Sequence, residues 1–138
     1  MQIGARSKLL KNELPTFLRV VEEMRVYFKV DIRATRINLY KGAEGKALHF
    51  DAAKFNKKMD QNITIALSLG NERDITFQHD KKRTLIDIVS TNNSIYTFGK
   101  RVNEITRHGV RPDTSEKTKT NPTNGERISV IIWGKVDL

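Results

Sequence analysis

With 138 residues, no cysteine and a formal charge of +9, the chain is long enough for one domain with a real core, and it excludes disulfide, thiolate-nucleophile and zinc–thiolate chemistry. Hydrophobic residues at 38% and charged residues at 30% make an ordinary globular composition, with no apolar run of membrane-spanning length. The excess of Lys and Arg favours a polyanionic partner, with nucleic acid the first candidate.

Residues 1–11 carry no clear pattern, and residues 1–20 lack the features of a signal peptide. Together with the missing cysteines, this fits an intracellular protein. From Asn12 onward, Leu14, Phe17, Leu18, Val21, Met24 and Phe28 recur at helical spacing and predict one amphipathic helix packed into the core. Asn12 is its expected cap, and Pro15 is tolerated because it falls in the first turn. After Val30 the period changes to two: Arg36, Asn38 and Tyr40 alternate with Ile37 and Leu39, so a strand presents polar groups to one side. Further strands are expected at 46–51, 62–69, 74–79, 84–89, 94–98, 104–110 and 127–133, with turns at Gly70-Asn71, Asp80-Lys81, Asn92-Asn93 and Gly99. One helix followed by eight short strands predicts a sandwich or barrel, not a parallel α/β sheet. Residues 112–125 have no large apolar side chain and read as a loop joining two strands that carry candidate site residues.

The chemistry lies in His49-Phe50-Asp51, then His108, then Arg127-Ile128-Ser129. Alternate residues on a strand point the same way, so His49 and Asp51 offer an imidazole and a carboxylate to one side. His108 would complete two histidines and one carboxylate, a donor set suited to non-haem Fe(II) because it leaves coordination positions open. Arg127 and Ser129 also sit two apart, so a guanidinium fork and a hydroxyl can grip one carboxylate. Lys54, Lys57 and Lys58, interleaved with Phe55, follow directly after the metal pair and form a basic segment. Lys81-Lys82-Arg83 reads as a solvated hairpin turn, and His79 as a strand-end residue.

These stretches resemble the Fe(II)- and 2-oxoglutarate-dependent dioxygenases, and within them most closely the AlkB-type nucleic-acid dealkylases. Asn38-Leu39-Tyr40 precedes His49-x-Asp51 much as the family's Asn-x-Tyr strand precedes its metal pair. Ser68-Leu69-Gly70 followed by Arg73 and Phe77 is similar to its Ser-Leu-Gly turn, arginine and aromatic strand. His108-Gly109-Val110 resembles its distal metal histidine, and Arg127-Ile128-Ser129 the start of its last core strand. The resemblance covers residues 14 to 134.

It implies a double-stranded β-helix, that is, a jelly-roll core behind a leading helix, forming a single domain over residues 1–138. It also implies Fe(II) on His49, Asp51 and His108, with 2-oxoglutarate and O2 as co-substrates. Arg127 would bind the distal carboxylate of 2-oxoglutarate with Tyr40 and Ser129, while Asn38 would lie near the keto-acid end. The activity implied is oxidative demethylation or hydroxylation of nucleic acid, with hydroxylation of a protein or small molecule as the alternative. A jelly-roll binding domain without catalysis is the non-enzymatic reading. Two departures stand out. Trp133 occupies the position of the family's second arginine, and about a dozen residues precede the matching helix where dealkylases carry a longer substrate lid.

Overall fold

Two periodicities, 3.6 before Val30 and 2 after it, set the architecture. The computed structural model describes residues 2–3, 14–120 and 125–137. Helix α1 (Pro15–Phe28) opens with proline, whose missing N–H is harmless at the first helical position. Leu14 takes the cap position without a side-chain bond, and Asn12 lies outside the described residues. Lys29 ends the helix in the left-handed region, with φ of 50°.

The described strands are β1 (Gln2–Ile3), β2 (Asp31–Tyr40), β3 (Lys46–His49), β4 (Ile63–Gly70), β5 (Arg73–His79), β6 (Leu85–Ser90), β7 (Ser94–Gly99), β8 (Thr106–Val110) and β9 (Arg127–Lys135). They form two antiparallel sheets, ordered β1-β2-β9-β4-β7 and β3-β8-β5-β6. The fold is therefore mainly β with a leading helix, its two sheets facing each other as a jelly roll. Two short α-helices and a 3-10 turn (Ala52–Lys54) were not foreseen. The segment expected to begin a strand at residue 104 instead forms α2 (Lys100–Ile105) before β8, and the expected loop after β8 contains α3 (Glu116–Thr120). Among the described residues no helix is long and apolar enough to cross a membrane.

Helix α1 covers the outer face of the five-stranded sheet, where Phe17, Val21 and Met24 pack on Ile65, Leu67, Val130 and Ile132. Each such side chain is worth about 1.5–3 kcal/mol when fully buried. The opposite face looks into the roll. Antiparallel partners share a face, so the register lays side chains in rows across it. One row holds Ala34, Trp133, Thr64 and Phe98, and the next Arg36, Ile131, Ala66 and Tyr96. Asn38, Ser129, Ser68 and Ser94 form the third, and Tyr40 faces Arg127 and Gly70 at the far end. Ile75, Phe77, His108 and Val110 look back from the smaller sheet, with Phe77 reaching Phe98 at 5.5 Å between ring centres.

Arg73 ties the loops at this far end together. It is 4% exposed, and its Nη2 donates to the carbonyls of Gly42 and Gly125, each at 2.7 Å. The arginine of the Ser-Leu-Gly stretch thus holds backbone.

Candidate metal centre

Strand β3 ends at His49, yet Asp51 keeps an extended backbone (φ −67°, ψ 145°), so the alternation survives two residues beyond the ladder. Strand β8 runs antiparallel to β3 and sets His108 opposite His49, with ring centres 4.4 Å apart. The register requires a glycine at 109. A Cβ there would meet the Lys46 carbonyl at 2.5 Å and the Ala47 carbonyl at 3.1 Å, both backbone atoms. The structure thereby brings together one donor atom each from His49, Asp51 and His108, all within 4.8 Å of one another.

Each group is held. Thr64 Oγ1 donates to Asp51 Oδ2 at 2.8 Å, tying the carboxylate to the larger sheet. Asn103, buried in α2, grips the backbone of the same residue: its Oδ1 accepts the Asp51 N–H at 2.8 Å and its Nδ2 donates to the Asp51 carbonyl at 3.2 Å. His49 Nδ1 lies 2.9 Å from the Ala47 carbonyl; an Nδ1–H donated to that oxygen leaves the Nε2 lone pair free for a ligand. His108 packs among His49, Phe77 and Phe98, with Nε2 3.6 Å from Asp51 Oδ1.

Burial drives the His108 pKa down from 6.5 to about 4, outweighing the opposite pull of Asp51. At neutral pH the imidazole is therefore uncharged, the state that binds metal. Two imidazoles and a carboxylate at this separation fit a divalent ion such as Fe(II), whose ligand distances of about 2 Å span the gap.

The group faces a cavity of about 230 Å³ whose wall includes Tyr40, Ala66, Tyr96, Ser129 and Trp133. Arg127 and Asn38 stand behind this wall. Arg127 is 1% exposed: Nη2 donates to Ser68 Oγ at 2.6 Å, while Nε and Nη1 are buried with no hydrogen-bond partner. Its Cζ lies 5.4 Å from the Tyr40 ring centre. A buried guanidinium with two unsatisfied nitrogens calls for an anion, and burial accordingly draws its pKa below the ordinary arginine range. Asn38 Nδ2 donates to Ser129 Oγ at 3.3 Å, which puts Asn38 at the Ser129 level, nearer Arg127 than the His/Asp group. Behind Arg127, Ser90 Oγ donates to Ser68 Oγ at 2.6 Å and lies 3.3 Å from Ser94 Oγ.

The basic segment after Asp51 divides. Lys54 turns inward, 3.1 Å from the Phe50 ring centre and 3.8 Å from Asp80, which also takes Arg107 at 3.0 Å. Lys57 and Lys58 stay exposed. Sequence reasoning had given no role to Thr64, Ser68 and Asn103, with Ser68 named only within the Ser-Leu-Gly stretch. The first two carried a signal, polar residues alternating with Ile65 and Leu67 on a strand. Asn103 carried none, since it reads backbone 52 residues away.

No protein-family model matches the chain, and no curated protein does. Solved structures share its fold. OsALKBH1 superposes with a TM-score of 0.57 at 14% identity, covering 94% of this chain and 63% of its own. A 2OG-Fe(II) oxygenase family oxidoreductase from Burkholderia pseudomallei gives 0.54 at 16% identity, covering 90% and 53%. A prolyl-4-hydroxylase from Pseudomonas putida gives 0.56 at 14% identity, covering all of this chain and 71% of its own. The chain thus spans less than two thirds of the first two structures. At these identities the likeness establishes a fold alone: a jelly-roll core.

Proposed function

We propose that the chain is an Fe(II)- and 2-oxoglutarate-dependent dioxygenase that demethylates or hydroxylates a nucleic-acid substrate, and that residues 1–138 act as one domain. The observation carrying this reading is the convergence of His49, Asp51 and His108 on one side of a cavity inside a jelly roll. Bound Fe(II), 2-oxoglutarate and O2 would supply oxidation of a C–H bond, coupled to conversion of the keto acid to succinate and CO2.

The chain's own residues have distinct tasks. His49, Asp51 and His108 hold the metal, while Thr64 and Asn103 fix the carboxylate. Arg127 takes the distal carboxylate, entered from the Tyr40 and Ser129 wall, with Asn38 orienting the Ser129 hydroxyl. Ala66 and Ile131 leave a narrow apolar floor between the two ends, and Phe77 and Phe98 pack His108 away from water. An orientation fixed at both ends is what such a reaction needs from a protein. Hydroxylation of an N-methyl group would release formaldehyde and the bare base, and a base in duplex would first have to leave the stack. The net charge of +9 supports the choice of nucleic acid.

One observation favours a second reading, hydroxylation of a protein or small molecule. Trp133 stands on the cavity wall where the dealkylases carry their second arginine, and Lys54 is engaged with Asp80. Anaerobic titration with Fe(II) and 2-oxoglutarate tests the site. Succinate release stimulated by methylated oligonucleotides supports the first substrate class, and release stimulated only by peptides or metabolites selects the second. Absence of metal binding would sink both.

A further inference from the structure

The border strand of the smaller sheet stands open, apart from the metal centre. Residues 81–89 are all exposed, the longest such run among the described residues. Strand β6 lies in that run and borders β5 on one side only. Alternate N–H and C=O groups along its other edge therefore meet no strand among the described residues. Register puts Leu85 and Val89 on the outer face, opposite Gln78 and Asp74, and Ile86 and Ile88 on the inner face, opposite Phe77 and Ile75. Ser90 Oγ lies 3.3 Å from Ser94 Oγ, which joins β6 to β7, the border of the larger sheet. Away from that junction, exposure along the inner face climbs from 3% at Ser90 to 45% at Ile88 and 62% at Ile86. The two borders thus part and leave an apolar wedge along one side of the roll.

Edges of this kind are normally guarded by charge, proline or a bulge. Strand β6 has no proline, and its register with β5 runs without a shift. Its one charge, Asp87, is turned back over the outer face, where the carboxylate accepts from Thr76 Oγ1 and from Arg111 Nε at 3.0 Å and Nη2 at 2.7 Å. An unguarded edge carrying four large aliphatic side chains suits an extended partner: backbone supplies the bonds, and the wedge takes alternate side chains. Charge then narrows the choice. Lys81, Lys82 and Arg83 are exposed at the Leu85 end, whereas the other end runs into the neutral Thr91-Asn92-Asn93. A second copy paired across a two-fold axis would set each basic turn beside the asparagines of its twin and leave the cations unanswered. Phosphate would answer the turn but not the aliphatic row. An extended peptide with acids at one end answers both.

We infer that β6 is a docking edge for an extended, acidic segment of a protein partner, which adds to the smaller sheet as an antiparallel strand. Every pairing within this sheet is antiparallel, and the same arrangement puts the C-terminal end of the segment beside residues 81–83. Its β-branched side chains fill the wedge next to Ile86 and Ile88, and Asp or Glu at its C-terminal end meets the basic turn. Docking leaves the metal centre uncovered, since β5 stands between β6 and the His108 strand.

The probe is a fluorescein-labelled octapeptide, Thr-Val-Thr-Val-Thr-Val-Glu-Glu with a C-terminal amide, titrated against the full chain by anisotropy. Exchanging both glutamates for glutamine, or moving them to the N-terminal end, should weaken binding at least about fivefold, the scale of two exposed ion pairs, and added salt should shrink the difference. N-methylation of one alternate set of peptide amides should abolish binding, while methylation of the other set changes it less than about twofold, because only one set faces β6. Ile86→Lys should weaken binding at least about tenfold, and Ile86→Val should retain it. Position 86 is exposed, so unchanged melting of both variants separates a lost edge from a damaged fold. The N-methylated pair makes the same test with the protein unaltered. The inference is overturned if the octapeptide does not bind, if the two N-methylated sets bind alike, or if trithymidylate, of equal charge, displaces the peptide. Self-association in sedimentation that Ile86→Lys abolishes would give the edge to a second copy and overturn it as well.

Discussion

Replacing Asn103 by alanine tests whether the metal carboxylate is positioned through its backbone. Asn103 makes two hydrogen bonds to Asp51, at 2.8 and 3.2 Å, and residue 51 is only 6% exposed. Truncation leaves a buried donor and a buried acceptor, each costing about 1–3 kcal/mol if no partner replaces the amide. Water entering the vacated space would keep the total near the lower end, roughly 2 kcal/mol. For a domain of this size that lowers Tm by about 6–8 °C. Thr64 still holds one carboxylate oxygen, so Asp51 stays in place on average but loses its fixed direction. Loss of such outer contacts weakens metal binding by about 10–100-fold. Thermal melting of the metal-free protein and calorimetric titration with Mn(II) measure the two effects. A variant that melts as expected yet binds Mn(II) within twofold of the parent would refute the reasoning, leaving Asn103 as scaffold only.

Arg127→Met removes a buried charge with two unpaired nitrogens, so the metal-free protein should gain about 1–4 kcal/mol even though the Ser68 bond is lost. The same variant should no longer be stabilised by 2-oxoglutarate in a melting assay, and a lower Tm would make the guanidinium structural. Gly109→Ala should push β3 from β8, because the new methyl meets backbone at 2.5 Å, and Mn(II) affinity should fall at least about tenfold. Retained affinity would mean that the ladder tolerates the shift. For pH the sign follows from His108: the unfolded chain takes its proton below 6.5, the folded one only near 4. Stability of the metal-free protein is therefore full above pH 6.5 and falls as pH drops toward 4, and His108→Gln should flatten that interval in denaturant titrations. An unchanged slope would contradict the buried, neutral state assigned to His108.

Much of the molecule was readable because its periodicities are clean. The α1 stripe and the alternating strands announced a helix followed by a β roll, and His49, Asp51 and His108 were visible because extended backbone preserves a period of two even past the end of β3. Short elements escaped. Helix α2 spans six residues, too few for a 3.6 period to show, and α3 owes its start to Asp113, which accepts from the Ser115 N–H and the Thr118 hydroxyl rather than to any apolar face. Strand β1 is two residues long and exists only through its pairing with Arg36 and Thr35. Within the site, side chains that touch the cavity betrayed themselves by type and spacing. Asn103 did not, since its meaning depends on which chain segments the fold brings alongside.

The two layers of the roll are unequally supported. Helix α1 backs the larger sheet, whereas β6, at the border of the smaller one, leaves Leu85, Ile86, Ile88 and Val89 between 45% and 62% exposed. His49 and His108 ride on the weaker layer, and Asp51 is laced to the stronger one through Thr64. An ion gripped by all three would act as a rivet between them, so amide exchange in β5, β6 and β8 should slow on metal addition while β4 and β9 hardly change.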